Sequence, residues 1–132
     1  MYRFLEHTAD FKIQVIADSL EDLFKESVLA LNEFLNPTLG GKTKEEEITL
    51  TSENLELLYI DFLSQILTKV YIEKMIFEAV DIKLDLEKNF LTAKLKGIEF
   101  KKITKDIKAV TYHQIKIENI NGKYLGEFII DV

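Results

Sequence analysis

From Phe11 to Asp18 apolar and polar positions alternate, with Phe11, Ile13, Val15 and Ala17 on one face and Lys12, Gln14 and Asp18 on the other. A period of two predicts a half-buried strand. The period then changes. In SLEDLFKESVLALNEFLN the residues Leu20, Leu23, Phe24, Leu31 and Leu35, with Ser27 and Val28 between them, form an apolar stripe at helical spacing. Ser19 stands where an N-cap belongs, and Asp22 takes the capping-box position that Glu or Gln usually holds. Pro37, Gly40 and Gly41 end the segment, and EEEITLT follows as a short strand with Ile48 and Leu50 inward. A second helix starts near Ser52, in SENLELLYIDFLSQILTKVYIE. Its Leu55, Leu58, Tyr59, Phe62, Leu63, Ile66 and Val70 cover more than half the circumference, which predicts the central core helix.

The rest of the chain reads as strands. FEAVDIKLDL alternates with Val80, Ile82, Leu84 and Leu86 inward, EKN turns the chain, and FLTAKLKG returns with Leu91, Ala93 and Leu95 on one face. KAVTYHQIKIE and YLGEFIIDV flank NING, where Asn121 and Gly122 both tolerate the positive φ of a hairpin turn. The pattern predicts an α+β fold: two helices packed on six or seven largely antiparallel strands, in one domain over residues 1–132.

Composition narrows the chemistry. The chain has 132 residues, 47% hydrophobic and 30% charged, enough for a sizeable core. The absence of cysteine excludes a disulfide scaffold, thiolate metal sites and thiol catalysis, and fits a reducing compartment. No apolar run reaches the roughly 18–20 residues that span a bilayer, and MYRFLEHTAD lacks a signal-peptide layout. The expectation is a cytoplasmic protein without a membrane partner. A net charge of −6 argues against broad nucleic-acid binding through a basic surface and permits a cation or a basic protein partner. Gly-rich phosphate loops, paired histidines at metalloprotease spacing and nucleophile-elbow serines are missing from the sequence.

Carboxylate, imidazole, lysine and hydroxyl groups remain, and hard-cation binding is the natural use of clustered aspartates. Asp10, in FLEHTADFKI, and Asp131, in FIIDV, each interrupt an apolar strand. If those strands are neighbours, two carboxylates meet, and a cation relieves their repulsion. Alternatively, Asp10 is a turn residue and Asp131 sits in a frayed end. His7 and Thr8 precede Asp10 in an apparent turn; His7 is either a hydrogen-bonded turn histidine or a group working beside the pair. Asp61 lies in the apolar LLYIDFL, so it faces solvent on a narrow polar stripe or is buried and paired. KAVTYH reads as a strand with Thr111 and His113 on one face. His113 shares that face with Ile115 and Ile117, which predicts a core histidine, and Tyr112 reads as a core aromatic. Lys108, at the strand's entrance, is a solvated lysine or a contact to phosphate or an acidic patch. Lys101, Lys102 and Lys105 form a local basic patch, either a solvated loop or a contact to a partner.

EHTAD (Glu6 to Asp10), LLYIDFL (Leu57 to Leu63), KAVTYH (Lys108 to His113) and IIDV (Ile129 to Val132), in that order along the chain, resemble the archease family. The resemblance implies a small accessory protein of the RtcB-type RNA ligase. That ligase joins RNA ends bearing a 2′,3′-cyclic phosphate or 3′-phosphate to a 5′-hydroxyl, in tRNA splicing and RNA repair. The implied role is non-catalytic: to promote guanylylation of the ligase's active-site histidine and repeated turnover, with tRNA reached only through the ligase. A divalent cation, Ca²⁺ foremost with Mg²⁺ or Mn²⁺ as alternatives, is implied to bind Asp10, Asp131 and an oxygen of Val132. Asp61 and Lys108 match an acidic residue and a lysine of the family pattern, and His7, Thr8, Tyr112 and His113 stand as partner-facing or supporting residues. Lys12 departs from the small residue common there, and KKITKD departs from the usual loop. Two other readings stand beside this one: a stand-alone metal-dependent hydrolase or phosphotransferase, and a chaperone-like RNA-processing module.

Overall fold

Helix α1 (Leu20–Leu35) starts where Ser19, in extended conformation, accepts a hydrogen bond at Oγ from the Asp22 amide, at 3.1 Å. It stops at Asn36, which turns left-handed at φ 46°. Helix α2 (Leu55–Glu73) is capped by Asn54, whose side chain accepts from the Leu57 amide at 2.9 Å. The cap lies two residues beyond Ser52, because the Ser52 hydroxyl is turned onto Asp61 instead. Ser19→Ala should lower the unfolding free energy by about 1 kcal/mol, the usual worth of a serine N-cap, with an unchanged urea m-value.

The structure, a computed structural model, describes residues 1–7 and 10–132. Its strands are β1 (Tyr2–His7), β2 (Asp10–Ala17), β3 (Pro37–Thr51), β4 (Met75–Asp85), β5 (Phe90–Ile103), β6 (Ala109–Val110), β7 (Lys116–Ile120) and β8 (Lys123–Asp131). All pairings among the described residues are antiparallel. One sheet runs β1-β2-β8-β6, with β7 also on β8; the other runs β3-β5-β4. Both helices and the inner faces of both sheets enclose one apolar cluster. The α+β class holds, and Asn121 (φ 52°) and Gly122 (φ 85°) make the expected turn between β7 and β8.

Four expectations need correction. The described residues hold eight strands rather than six or seven, because β1 pairs along β2 from Tyr2↔Val15 to His7↔Asp10. Strand β3 begins at Pro37 rather than near Glu45. Its register slips between Leu39 and Thr43, where Gly40 (φ 156°) and Gly41 (φ 127°) adopt angles that side chains resist, and the strand resumes beyond them. In β4 the expected inward run fails at both ends. Val80 is the extra residue of a bulge between Ala79 and Asp81; Ala79 packs inward before it and Ile82 after it, so Val80 is thrown to solvent at 55% exposure. Leu86 lies past the strand in the turn and is also exposed. Finally, KAVTYH is not one strand. Strand β6 stops at Val110, and residues 111–115 leave the sheet in a loop with Gln114 at φ 57°. Tyr112 and His113 are therefore exposed, and neither belongs to the core.

The most buried polar contact joins the two helices. Ser27 donates to the Leu23 carbonyl at 2.7 Å, which commits its only proton, so the Tyr59 hydroxyl donates to Ser27 Oγ at 2.6 Å. Burial pushes the Tyr59 hydroxyl well above its usual titration range, so it stays a donor. Gly126 of β8 passes directly over this pair. A Cβ there would lie 2.8 Å from Tyr59 Oη and 3.1 Å from Leu23 Cδ1.

Candidate functional site

The inward positions of β2 and β8 set where the polar ones go. Ile13, Val15, Phe128 and Ile130 are buried against the helices. By alternation, Asp10, Lys12 and Gln14 of β2, and Glu127, Ile129 and Asp131 of β8, leave the opposite face. Asp10 and Asp131 are direct register partners. Side chains so paired have Cβ atoms about 4.5–5.5 Å apart, so the two carboxylates share one spot on the outer face. Both residues are half-buried. The row continues on either side, with His7 of β1 opposite Asp10 and Ala109 of β6 opposite Asp131. His7 is described by its backbone alone, and Thr8 lies outside the described residues.

Asp131 is not frayed. Its carbonyl accepts the Lys108 amide at 2.7 Å, and the Thr111 amide donates to the Ile129 carbonyl at 2.8 Å, so the β6 segment holds this end of β8 on the side away from β2. Val132, next in the chain, packs against the core. The Lys108 side chain is exposed. Lys12, two residues from Asp10 on the same face, is drawn along the sheet to Glu127, at 3.8 Å. Glu127 also accepts from Gln14 Nε2 at 2.5 Å and is only 9% exposed.

A second carboxylate is fully engaged. Asp61 accepts from Ser52 Oγ at Oδ2 and from the Tyr112 hydroxyl at Oδ1, each at 2.5 Å. Asp61 falls between its two readings, paired but only half-buried. Donation to Asp61 holds the Tyr112 hydroxyl above its ordinary pKa, with partial burial and the Asp61 charge acting in the same sense and Ser64 against them. His113 stands in the loop with its amide donating to Thr111 Oγ1 at 3.4 Å.

Among the described residues no group of three His, Cys, Asp or Glu side chains gathers as a metal cage. What the sheet presents is a pair. Two hard oxygen donors side by side suit part of a Ca²⁺ or Mg²⁺ shell, which carbonyl, carboxylate or water oxygens complete.

The family model of the Archease protein family matches residues 2–132. The chain belongs to the archease family. It is 29% identical to the archease of Methanosarcina mazei over 140 residues, covering 99% of this chain and 95% of that one. With the archease of Pyrococcus abyssi it shares 33% identity over 135 residues, covering 96% and 95%. Two solved structures share the fold. The solution structure of a Methanobacterium thermoautotrophicum protein superposes with TM-score 0.80 at 23% identity, covering 99% of this chain and 98% of that one. The crystal structure of a Thermotoga maritima archease, described as a possible chaperone, gives TM-score 0.70 at 24% identity, covering 97% and 94%.

In this archease, sequence reasoning reached both members of the facing carboxylate pair and missed the groups that hold their surroundings. Glu127 had a signal, since it shares the parity of Asp131 along YLGEFIIDV. Ser52 had none, because its contact with Asp61 follows no helical or strand period. Among the described residues no helix of the archease is long and apolar enough to cross a membrane.

Proposed function

We propose that this archease is a non-catalytic, cytoplasmic activator of an RtcB-type RNA ligase, promoting guanylylation of the ligase's active-site histidine and repeated turnover in tRNA splicing and RNA repair. Family membership supports the role, and the direct pairing of Asp10 with Asp131 across β2 and β8 carries the site. Asp10 and Asp131 hold a divalent cation, Ca²⁺ foremost, with an oxygen of Val132. When bound, the cation neutralises the pair and offers its remaining positions to phosphate or carboxylate oxygens. The half-buried sheet orients the two carboxylates, and Glu127 keeps the Lys12 ammonium engaged elsewhere on the same face. Lys108, exposed and bonded through its backbone amide to the Asp131 carbonyl, offers its ammonium to phosphate or an acidic patch of the ligase. tRNA is reached through the ligase, consistent with a net charge of −6.

The test is the rate of guanylylation and of multiple-turnover ligation by the cognate ligase, with and without this protein, as Ca²⁺, Mg²⁺ and Mn²⁺ are varied. Acceleration by substoichiometric protein is expected. Metal-dependent turnover of nucleotide or RNA phosphates by the protein alone would replace the activator by a hydrolase or phosphotransferase. Broad, salt-sensitive RNA binding would instead favour a chaperone-like RNA module.

A further inference from the structure

We propose that Asp61 and Tyr112 are positioning residues: together they clamp the 111–115 loop onto α2 and so hold the β6 edge against Asp131. The functional half of this inference rests on the activator reading above; the structural half does not.

Strand β6 is only two residues long, and just upstream of it the buried Ile107 donates its amide to the Tyr71 hydroxyl of α2. The strand nonetheless supplies the flank of the carboxylate pair. Ala109 faces Asp131, and the amides on either side of β6, Lys108 and Thr111, bond the Asp131 and Ile129 carbonyls. Directly after Thr111 the chain leaves the sheet, and Gln114 takes a left-handed conformation. Within the loop the His113 amide bonds Thr111 Oγ1, and Ile115 packs against the core. A further restraint comes from α2. Asp61 Oδ1 receives the Tyr112 hydroxyl, while Oδ2 receives Ser52 from the segment between β3 and α2. Ser52 fixes the carboxylate's rotamer, so Tyr112 donates to an acceptor that is already oriented. Hydrogen bonds to a carboxylate are about twice as strong as neutral ones. Tyr112 is otherwise 55% exposed, so the contacts of its hydroxyl with Asp61 and Ser64 of α2, rather than burial, fix its ring. The clamp lies at the inner side of the sheet edge and the carboxylate pair at the outer side. They are joined by the short run from Lys108 to Tyr112.

Hydrogen exchange reads the clamp without any metal or ligase. In Tyr112→Phe and in Asp61→Ala, the Lys108 and Thr111 amides should exchange about tenfold faster or more, as expected for losing one charge-assisted bond that limits local opening. Amides in β4 and β5 and the thermal midpoint should stay close to wild type. Asp61→Asn keeps an oxygen acceptor and should fall between wild type and Asp61→Ala. The double variant should be no faster than the worse single one, since the two residues act as one unit. Titration with Mn²⁺ alone, followed calorimetrically, should show about threefold weaker binding or more in Tyr112→Phe, because a loosened flank lowers the fraction of competent sites. Unchanged exchange at both amides, or a uniform rise across the whole chain, overturns the proposal. Faster local exchange with unaltered Mn²⁺ affinity overturns its positioning role. If the wild-type protein fails to bind Mn²⁺ at all, the activator reading loses its metal site, and the exchange result alone then decides the clamp.

Discussion

Asp10→Ala and Asp131→Ala, made singly, should each abolish stimulation of the ligase, with a loss beyond the ~10–100-fold typical of removing a group that only supports a metal ligand. The reason is arithmetic of donors. The sheet presents two facing carboxylates, and either deletion leaves one, too little to retain a cation. A thermodynamic companion experiment has a sign that few other arrangements share. In chelator, like charges directly opposite on neighbouring strands destabilise by roughly 0.2–1 kcal/mol, so Asp10→Asn should make the protein slightly more stable than wild type. In saturating Ca²⁺ the order should reverse, because a ligand at about 100 times its Kd stabilises the wild type by about 2.7 kcal/mol and the variant scarcely at all. Urea unfolding in the two buffers measures both arms. Full stimulation by both alanine variants, or the same order of stability in chelator and Ca²⁺, places the site elsewhere.

Gly126→Ala should cost about 1–3 kcal/mol, the range for forcing an extra methyl into a packed core. The new Cβ would sit 2.8 Å from Tyr59 Oη, and that hydroxyl cannot swing aside without abandoning Ser27 inside the core. Tyr59→Phe alone should cost about 1 kcal/mol for the lost hydrogen bond. The two substitutions should be strongly non-additive. Removing the hydroxyl removes the nearest atom the methyl strikes and leaves only the Leu23 methyls, so the double variant should be more stable than the sum of the singles by about 0.5 kcal/mol or more. Strict additivity in urea unfolding would mean that the backbone of β8 absorbs the methyl and the close approach is not tight.

Where side-chain burial follows a single period, the sequence was sufficient. Both helices, their apolar stripes, the Ser19 cap and the inward face of β2 are direct readings of spacing. The failures share a cause, which is that one residue can break a period without looking unusual. Val80 keeps perfect alternation with Ile82 and Leu84 on paper, yet the bulge makes it the extra residue and sends it outward. His113 and Tyr112 continue the alternation of β6, but the left-handed Gln114 ends the strand's logic. Carboxylates were legible as anomalies, since an aspartate in an apolar run demands an explanation. Parity could be read for Asp10 and Asp131, but that they meet depends on strand order, which spacing does not give and the sheet supplies. Asp61 was equally anomalous, but its partners come from a loop and from the segment between β3 and α2, with no periodic relation to it.

Strand β8 is the middle of its sheet, yet β2, its partner on one side, comes from the other end of the described chain. Strands β1 and β2 form one neighbouring pair and β7 and β8 another. Joining the two pairs closes a loop that contains both helices and the whole of the other sheet. Loop-closure entropy grows with length, and long-range pairings are characteristically slow to form. The facing carboxylates come into being only with that join, so a cation bridging them would recognise a chain that has already finished folding. Such an ion would leave the rate of folding nearly untouched and slow the rate of unfolding. The same pairing that brings the two carboxylates together would then make a bound ion a kinetic lock on the molecule.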